Sequence, residues 1–194
     1  MSTTPTDNPS AALHESIRTR WSPREFLDRP IAAEDIRTLF EAARWAPSCF
    51  NEQPWRFVVA TKDRPEQFAR ILGVLVEKNQ EWARSAYLIG FSAARKTFSH
   101  NSTPNRFGLY DTGAAAGSLA IQATTMGIRV HFMGGFDAGR ARTEFGVPED
   151  FEIGAAFAAG YIDENSVLPP TRSRKPLAEM VFAGNWGQSA DFAE

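Results

Sequence analysis

Arg44-Trp45-Ala46-Pro47-Ser48-Cys49-Phe50-Asn51-Glu52-Gln53-Pro54-Trp55-Arg56-Phe57-Val58-Val59 is the stretch on which the reading of this chain turns. Just upstream, Ile36, Leu39, Phe40, Ala43 and Trp45 recur at roughly helical spacing, so the stretch begins as the end of a helix. It closes on the aromatic and β-branched run Trp55–Val59, which predicts a strand. Between them Pro47 and Pro54 remove two backbone donors and stiffen a polar loop. Ser48, Asn51 and Gln53 each carry a group that both donates and accepts. That set suits the edge of a planar heterocycle, and a rigid loop loses little entropy on binding. An ordinary helix-to-strand turn capped by Ser and Asn fits the same residues.

Composition narrows the setting. A length of 194 residues with 43% hydrophobic content predicts one domain with a sizeable core. The net charge of −2, from 21 basic and 23 acidic residues, gives no general attraction to nucleic acid or an anionic membrane. No apolar run approaches the roughly 20 residues of a membrane span. Residues 1–10 are polar with two prolines and read as a flexible tail rather than a signal peptide, leaving 11–194 as the domain. Cys49 is the single cysteine, which excludes an internal disulfide and suits a reducing cytoplasm. His14, His100 and His131 are too scattered to predict a metal site.

Outward from the opening stretch, residues 11–19 read as a short helix, followed by Arg18-Thr-Arg20-Trp21-Ser22-Pro-Arg24-Glu-Phe26. If this segment is extended, alternation puts Arg20, Ser22 and Arg24 on one side. Guanidinium forks and a hydroxyl make a phosphate cradle, although a solvated basic turn has the same composition. Helical stretches are expected from Pro30 and from Asp63, the second carrying Phe68, Ile71, Leu72 and Leu75, with another ending near Trp82. Ala86–Ser92 is a nearly continuous apolar run and reads as a buried strand. Lys96–Arg106 is polar and irregular and reads as a mobile surface loop.

Gly108–Gly127 is the longest helical pattern, with Gly113 and Gly117 forming a small-residue face suited to close helix packing. It lacks the spacing of a dinucleotide fingerprint, and no phosphate-binding P-loop motif occurs. Ile128–Met133 predicts a strand running into Gly134-Gly135. Glycines there allow a positive φ and let the backbone approach a flat ring, or simply turn the chain. A short helix over 137–145 and an alanine-rich strand over 152–162 follow. The basic segment Pro169–Leu177, with Arg172, Arg174 and Lys175, comes last; two basic clusters together would hold a phosphate if the fold joins them.

These elements, in this order, resemble the nitroreductase family. Ala46, Pro47, Ser48, Asn51, Gln53, Pro54, Trp55 and Phe57 match its APSSxNxQPWxF signature, with Cys49 in place of the second serine. Arg20–Phe26 is similar to its RRSxRxF element, with Trp21 replacing the second arginine. Gly134–Asp137 resembles its GGFD turn, and the late basic segment its K/R-x-R/K-x-P-L element. The likeness runs from about Ile17 to Trp186.

The resemblance implies an α+β fold with a mostly antiparallel central sheet flanked by helices, in an intertwined homodimer with flavin mononucleotide (FMN) at the interface. It implies Arg20, Trp21, Ser22, Arg24, Arg172 and Arg174 around the phosphate and ribityl chain, with Lys175 as alternate. Pro47, Ser48, Cys49, Asn51, Gln53 and Asp111 would border the flavin, with Met133, Gly134 and Gly135 opposite N5. Cys49 reads either as a redox thiol or as a small buried stand-in for serine. The helix over 108–127 would pack on its own copy, residues 96–106 would form a lid, and residues 179–194 would wrap over the partner. The implied activity is hydride transfer from NAD(P)H through flavin N5 to a nitroaromatic, quinone or similar small acceptor in ping-pong order. No catalytic side chain is assigned. Other flavin chemistry on the same fold, or a non-catalytic FMN sensor, are the alternatives.

Overall fold

The structure, a computed structural model, describes residues 12–163, 165 and 172–193. The chain divides into two compact units, His14–Val167 and a smaller one formed by Met1–Leu13 with Leu168–Glu194. The tail 1–10 and the prolines of 169–170 lie outside the described residues.

The larger unit is organised on a sheet of β1 (Trp55–Thr61), β2 (Leu88–Arg95), β3 (Ile128–Met133) and β4 (Phe151–Tyr161). The strands lie in the order β1-β2-β4-β3, and every neighbouring pair is antiparallel. With helices on both faces this is the α+β architecture expected from the sequence. Side chains alternate across the pleat. Ile89, Phe91, Ala156 and Ala158 enter one core layer with Phe68 and Ile71 of α3 (Pro65–Gly73) and Ala141 of α6 (Ala138–Phe145). Leu88, Val130, Phe157 and Ala159 enter the other, with Leu39 and Ala43 of α2 (Ala33–Arg44) and Ala115, Leu119 and Ala123 of α5 (Gly108–Thr125). Burying a ring such as Phe91 or Phe157 contributes about 2–3 kcal/mol.

Several boundaries differ from the sequence reading for identifiable reasons. Helix α1 covers only Glu15–Arg18, with the His14 ring accepting the Ser16 N–H as its cap. Strand β2 starts two residues later than expected and runs on to Arg95, because Ala93 and Ala94 are paired by both β1 and β4, and Arg95 pairs with Phe151 of β4 while donating to Pro54 C=O. Pairing overrides the weak strand preference of alanine. The ladder is irregular at Ser92, whose hydroxyl accepts from Ala155 N–H at 3.1 Å and donates to Ala155 C=O at 3.2 Å. Gly154 lies against it, since a Cβ there would stand 2.6 Å from that hydroxyl oxygen.

The smaller unit carries a short 3-10 turn at Leu177–Glu179 and a bridge between Phe182 and Ser189. Lys175 pairs with Glu179 at 3.7 Å, and the Phe182 and Trp186 rings lie 5.1 Å apart.

Candidate functional site

The loop between α2 and β1 is wound tightly on itself. Gln53 N–H donates to Ser48 Oγ at 3.0 Å, and the Gln53 carboxamide donates to Asn51 C=O at 3.0 Å. Phe50, Asn51 and Gln53 have φ of 53°, 55° and 51°. Asn tolerates the left-handed region, whereas Phe and Gln enter it at a cost that the surroundings must offset. From behind, Asp111 in the first turn of α5 accepts the Cys49 N–H at 3.0 Å and is itself buried. At the loop's entry, Arg44 and then Trp45 bond Glu41 and hold its carboxyl down to about 2. Cys49 is half-buried and forms no disulfide.

A second loop supports the first. Residues 96–106 fold back through Phe98 N–H to Thr103 C=O at 2.9 Å and Asn105 N–H to Lys96 C=O at 2.7 Å, so this segment is tied rather than loose. Glu52 accepts from Ser99 N–H at 2.8 Å and from Ser99 O–H at 3.1 Å. Phe50 meets Phe98 edge-on at 5.7 Å and His100 at 5.7 Å. Phe50, Glu52, Phe98 and His100 carried no signal in the sequence, since their contact depends on the fold bringing two loops together.

On the far edge of the sheet, the segment after Arg20 runs beside β3, the strand that leads into Gly134–Gly135. Pro23 C=O is bonded by the His131 ring at 2.7 Å, and Leu27 N–H donates to Tyr161 C=O at 2.8 Å. Arg20 donates to Ser22 Oγ at 3.4 Å, as alternation along an extended segment would arrange. Trp21 is half-buried and Arg24 exposed. The glycine pair departs from expectation, for neither residue takes a positive φ. The turn is made instead by Phe136 N–H to Gly134 C=O at 3.0 Å and by the Leu75–Phe136 bridge. Gly134 faces open space, whereas a Cβ on Gly135 would stand 2.5 Å from the Asn79 amide.

The two groups therefore lie on opposite edges of the sheet, the first leading into β1 and the second running along β3. β1 begins and β3 ends toward the side where β2 ends and β4 begins. Three strand spacings, about 14 Å, separate the β1 and β3 edges. Arg172 and Arg174 belong to the smaller unit, where both are exposed and Arg174 bonds the Arg172 carbonyl at 3.1 Å. Among the described residues no group of His, Cys, Asp and Glu could hold a metal, and no helix is long and apolar enough to cross a membrane.

Two loop systems on opposite edges of an antiparallel α+β sheet make up the candidate site. The family model for nitroreductases matches residues 17–161, and the chain belongs to the nitroreductase family, a class of oxidoreductases. A crystal structure described as an oxidoreductase containing FMN is 35% identical, covers 97% of this chain and 100% of its own, and superposes with a TM-score of 0.86. A nitroreductase family protein from Streptococcus pneumoniae TIGR4, at 23% identity, shares the fold with a TM-score of 0.72 over 87% of this chain and 98% of its own. A Stenotrophomonas maltophilia (strain R551-3) protein, provisionally named an NADH dehydrogenase/NAD(P)H nitroreductase, is 26% identical over 178 residues, 82% of this chain and 90% of its own.

Proposed function

We propose that this protein is an FMN-dependent oxidoreductase that works as an intertwined homodimer in the cytoplasm, passing electrons from NAD(P)H to a nitroaromatic, a quinone or a similar small acceptor. Family membership supports the reading, as does the FMN in the description of the 35% identical relative. The name of the Stenotrophomonas relative supports NAD(P)H as reductant. The observation that carries the reading is the division of the candidate residues between the two edges of one sheet. Two copies related by a two-fold axis would each complete the other's site.

The donor set fits FMN. Arg20, Ser22 and Arg24 hold the phosphate and ribityl chain by charge-assisted hydrogen bonds, and Arg172 and Arg174 of the smaller unit carry donors of the same kind. Trp21 flanks that segment. Ser48, Asn51 and Gln53 of the second copy, on the frame set by Pro47, Cys49 and Asp111, meet the donor and acceptor edge of the ring system. Met133 and Gly134 border the ring, where the open space at Gly134 admits a flat group. Bound FMN supplies the two-electron chemistry. Arg24 adds positive charge at the pyrimidine end, and water supplies the proton to the acceptor.

The interface is drawn from apolar groups left exposed on one copy. Trp45, Phe50 and Tyr110 are 77%, 80% and 77% exposed, and a Cβ on Gly113 or Gly117 of α5 would meet nothing within 4 Å. That face of α5 takes the same helix of the partner. Fluorescence titration of flavin-free protein tests the site. Arg20→Ala is expected to weaken FMN by about 1.5–3 kcal/mol and to leave riboflavin, which lacks the phosphate, unchanged. Unaltered FMN affinity would remove the phosphate assignment, and wild-type protein that binds no flavin would remove the function.

A further inference from the structure

Helix α4 (Glu77–Ala83) and the residues just after it present Asn79, Trp82 and Ser85 at intervals of three, on one side of the chain. Each holds a different part of the candidate site. Asn79 donates to Gly135 C=O at 2.9 Å, and that carbonyl also accepts Val76 N–H at 3.1 Å. The Trp82 indole donates to Asn79 Oδ1 at 3.2 Å, which orients the carboxamide so that its amino group points at Gly135. The Trp82 ring stacks on His131, with centroids 4.4 Å apart and planes at 26°. His131 is bonded through Nδ1 to Pro23 C=O at 2.7 Å, within the arginine segment. Because a carbonyl only accepts, Nδ1 carries the proton. Ser85 completes the set, accepting Phe26 N–H at 3.3 Å while donating to Trp82 C=O at 2.7 Å.

An unbroken chain of contacts thus runs from the Arg20–Arg24 segment to the Gly134–Gly135 turn, through side chains that bond the backbone of the two subsites and are not themselves assigned to the ligand. The close approach at Gly135, where a Cβ would collide with the Asn79 amide, explains why the second glycine is small. We propose that Asn79, Trp82 and His131 are positioning residues that set the distance between the phosphate subsite and the ring subsite, and so select a flavin that carries a terminal phosphate. The inference rests on the reading of this site as an FMN site. A ligand held at both ends gains affinity only while the two ends are preorganised at its own length. Riboflavin engages the ring subsite alone and gains nothing from that spacing.

The test compares FMN and riboflavin dissociation constants, by flavin fluorescence, for wild-type protein, His131→Leu, Asn79→Ala and Trp82→Phe. His131→Leu and Asn79→Ala are expected to weaken FMN by about tenfold while riboflavin shifts by less than about threefold, narrowing the preference for the phosphate. Trp82→Phe keeps the stack on His131 and is expected to retain most of that preference. Thermal midpoints identify variants that lose the fold. If His131→Leu does not fold, Asn79→Ala, on a helix at the surface, carries the same comparison. Parallel losses for both flavins, or no loss for either, would overturn the positioning role and leave the flavin site standing. Wild-type protein that binds neither flavin would overturn both.

Discussion

Asp111 lies in the first turn of α5, and its carboxylate accepts the Cys49 backbone N–H. An acid at a helix N-terminus is favoured by the helix dipole, and here it also occupies a donor of the signature loop. Asp111→Ala leaves that N–H unpaired in a part-buried setting, so a loss of about 1–3 kcal/mol in unfolding free energy is expected by chemical denaturation. Asp111→Asn keeps an acceptor oxygen and should lose less. Equal losses in the two variants would contradict the hydrogen bond as the cause. Ser48, Asn51 and Gln53 were readable in the sequence because their side-chain chemistry is local and the prolines announce a stiff loop. The left-handed backbone at Phe50 was not, because a bulky residue is a poor candidate for that conformation and only tertiary contact imposes it.

Among the elements, the loop over 96–106 depends on Glu52. Its two carboxylate oxygens take the backbone N–H and the hydroxyl of Ser99, and the Phe50–Phe98–His100 rings close over them. Glu52→Ala is expected to raise amide hydrogen exchange at Ser99 by about tenfold or more, while exchange in β2 stays unchanged. Protection at Ser99 equal to wild type would show that the rings alone hold the loop. The sequence suggested a mobile segment here because it is polar and lacks periodicity. What ties it down is a side chain more than forty positions earlier, a separation that no local pattern reports. Strand β2 makes the same point from the opposite side: its apolar run was legible, and its last three residues were set by partners on both sides.

For the molecule as a whole, the proposed sharing of each site between two copies has a direct consequence. Arg20→Ala damages one half and Asn51→Ala the other, so each variant alone is expected to bind FMN poorly. Unfolding and refolding them together forms mixed dimers in which one of the two sites has neither substitution. About a quarter of the wild-type FMN capacity should return, given random pairing in a two-fold dimer. No recovery, with dimers confirmed by sedimentation, would place both halves of each site within a single copy. The antiparallel α+β fold was legible through the resemblance to the nitroreductase family that the ordered motifs carry. The pairing order β1-β2-β4-β3 was not, because it is decided by which strands meet across the core.

The central claim is that this chain carries a flavin that a reduced nicotinamide can reach. The most direct measurement is an absorbance spectrum of the purified protein, followed by anaerobic addition of NADH or NADPH. Bands near about 370 and 450 nm that bleach on addition are the result expected of a flavin oxidoreductase. A flavin that stays oxidised with both nucleotides, or a colourless protein that refuses added FMN, would contradict it.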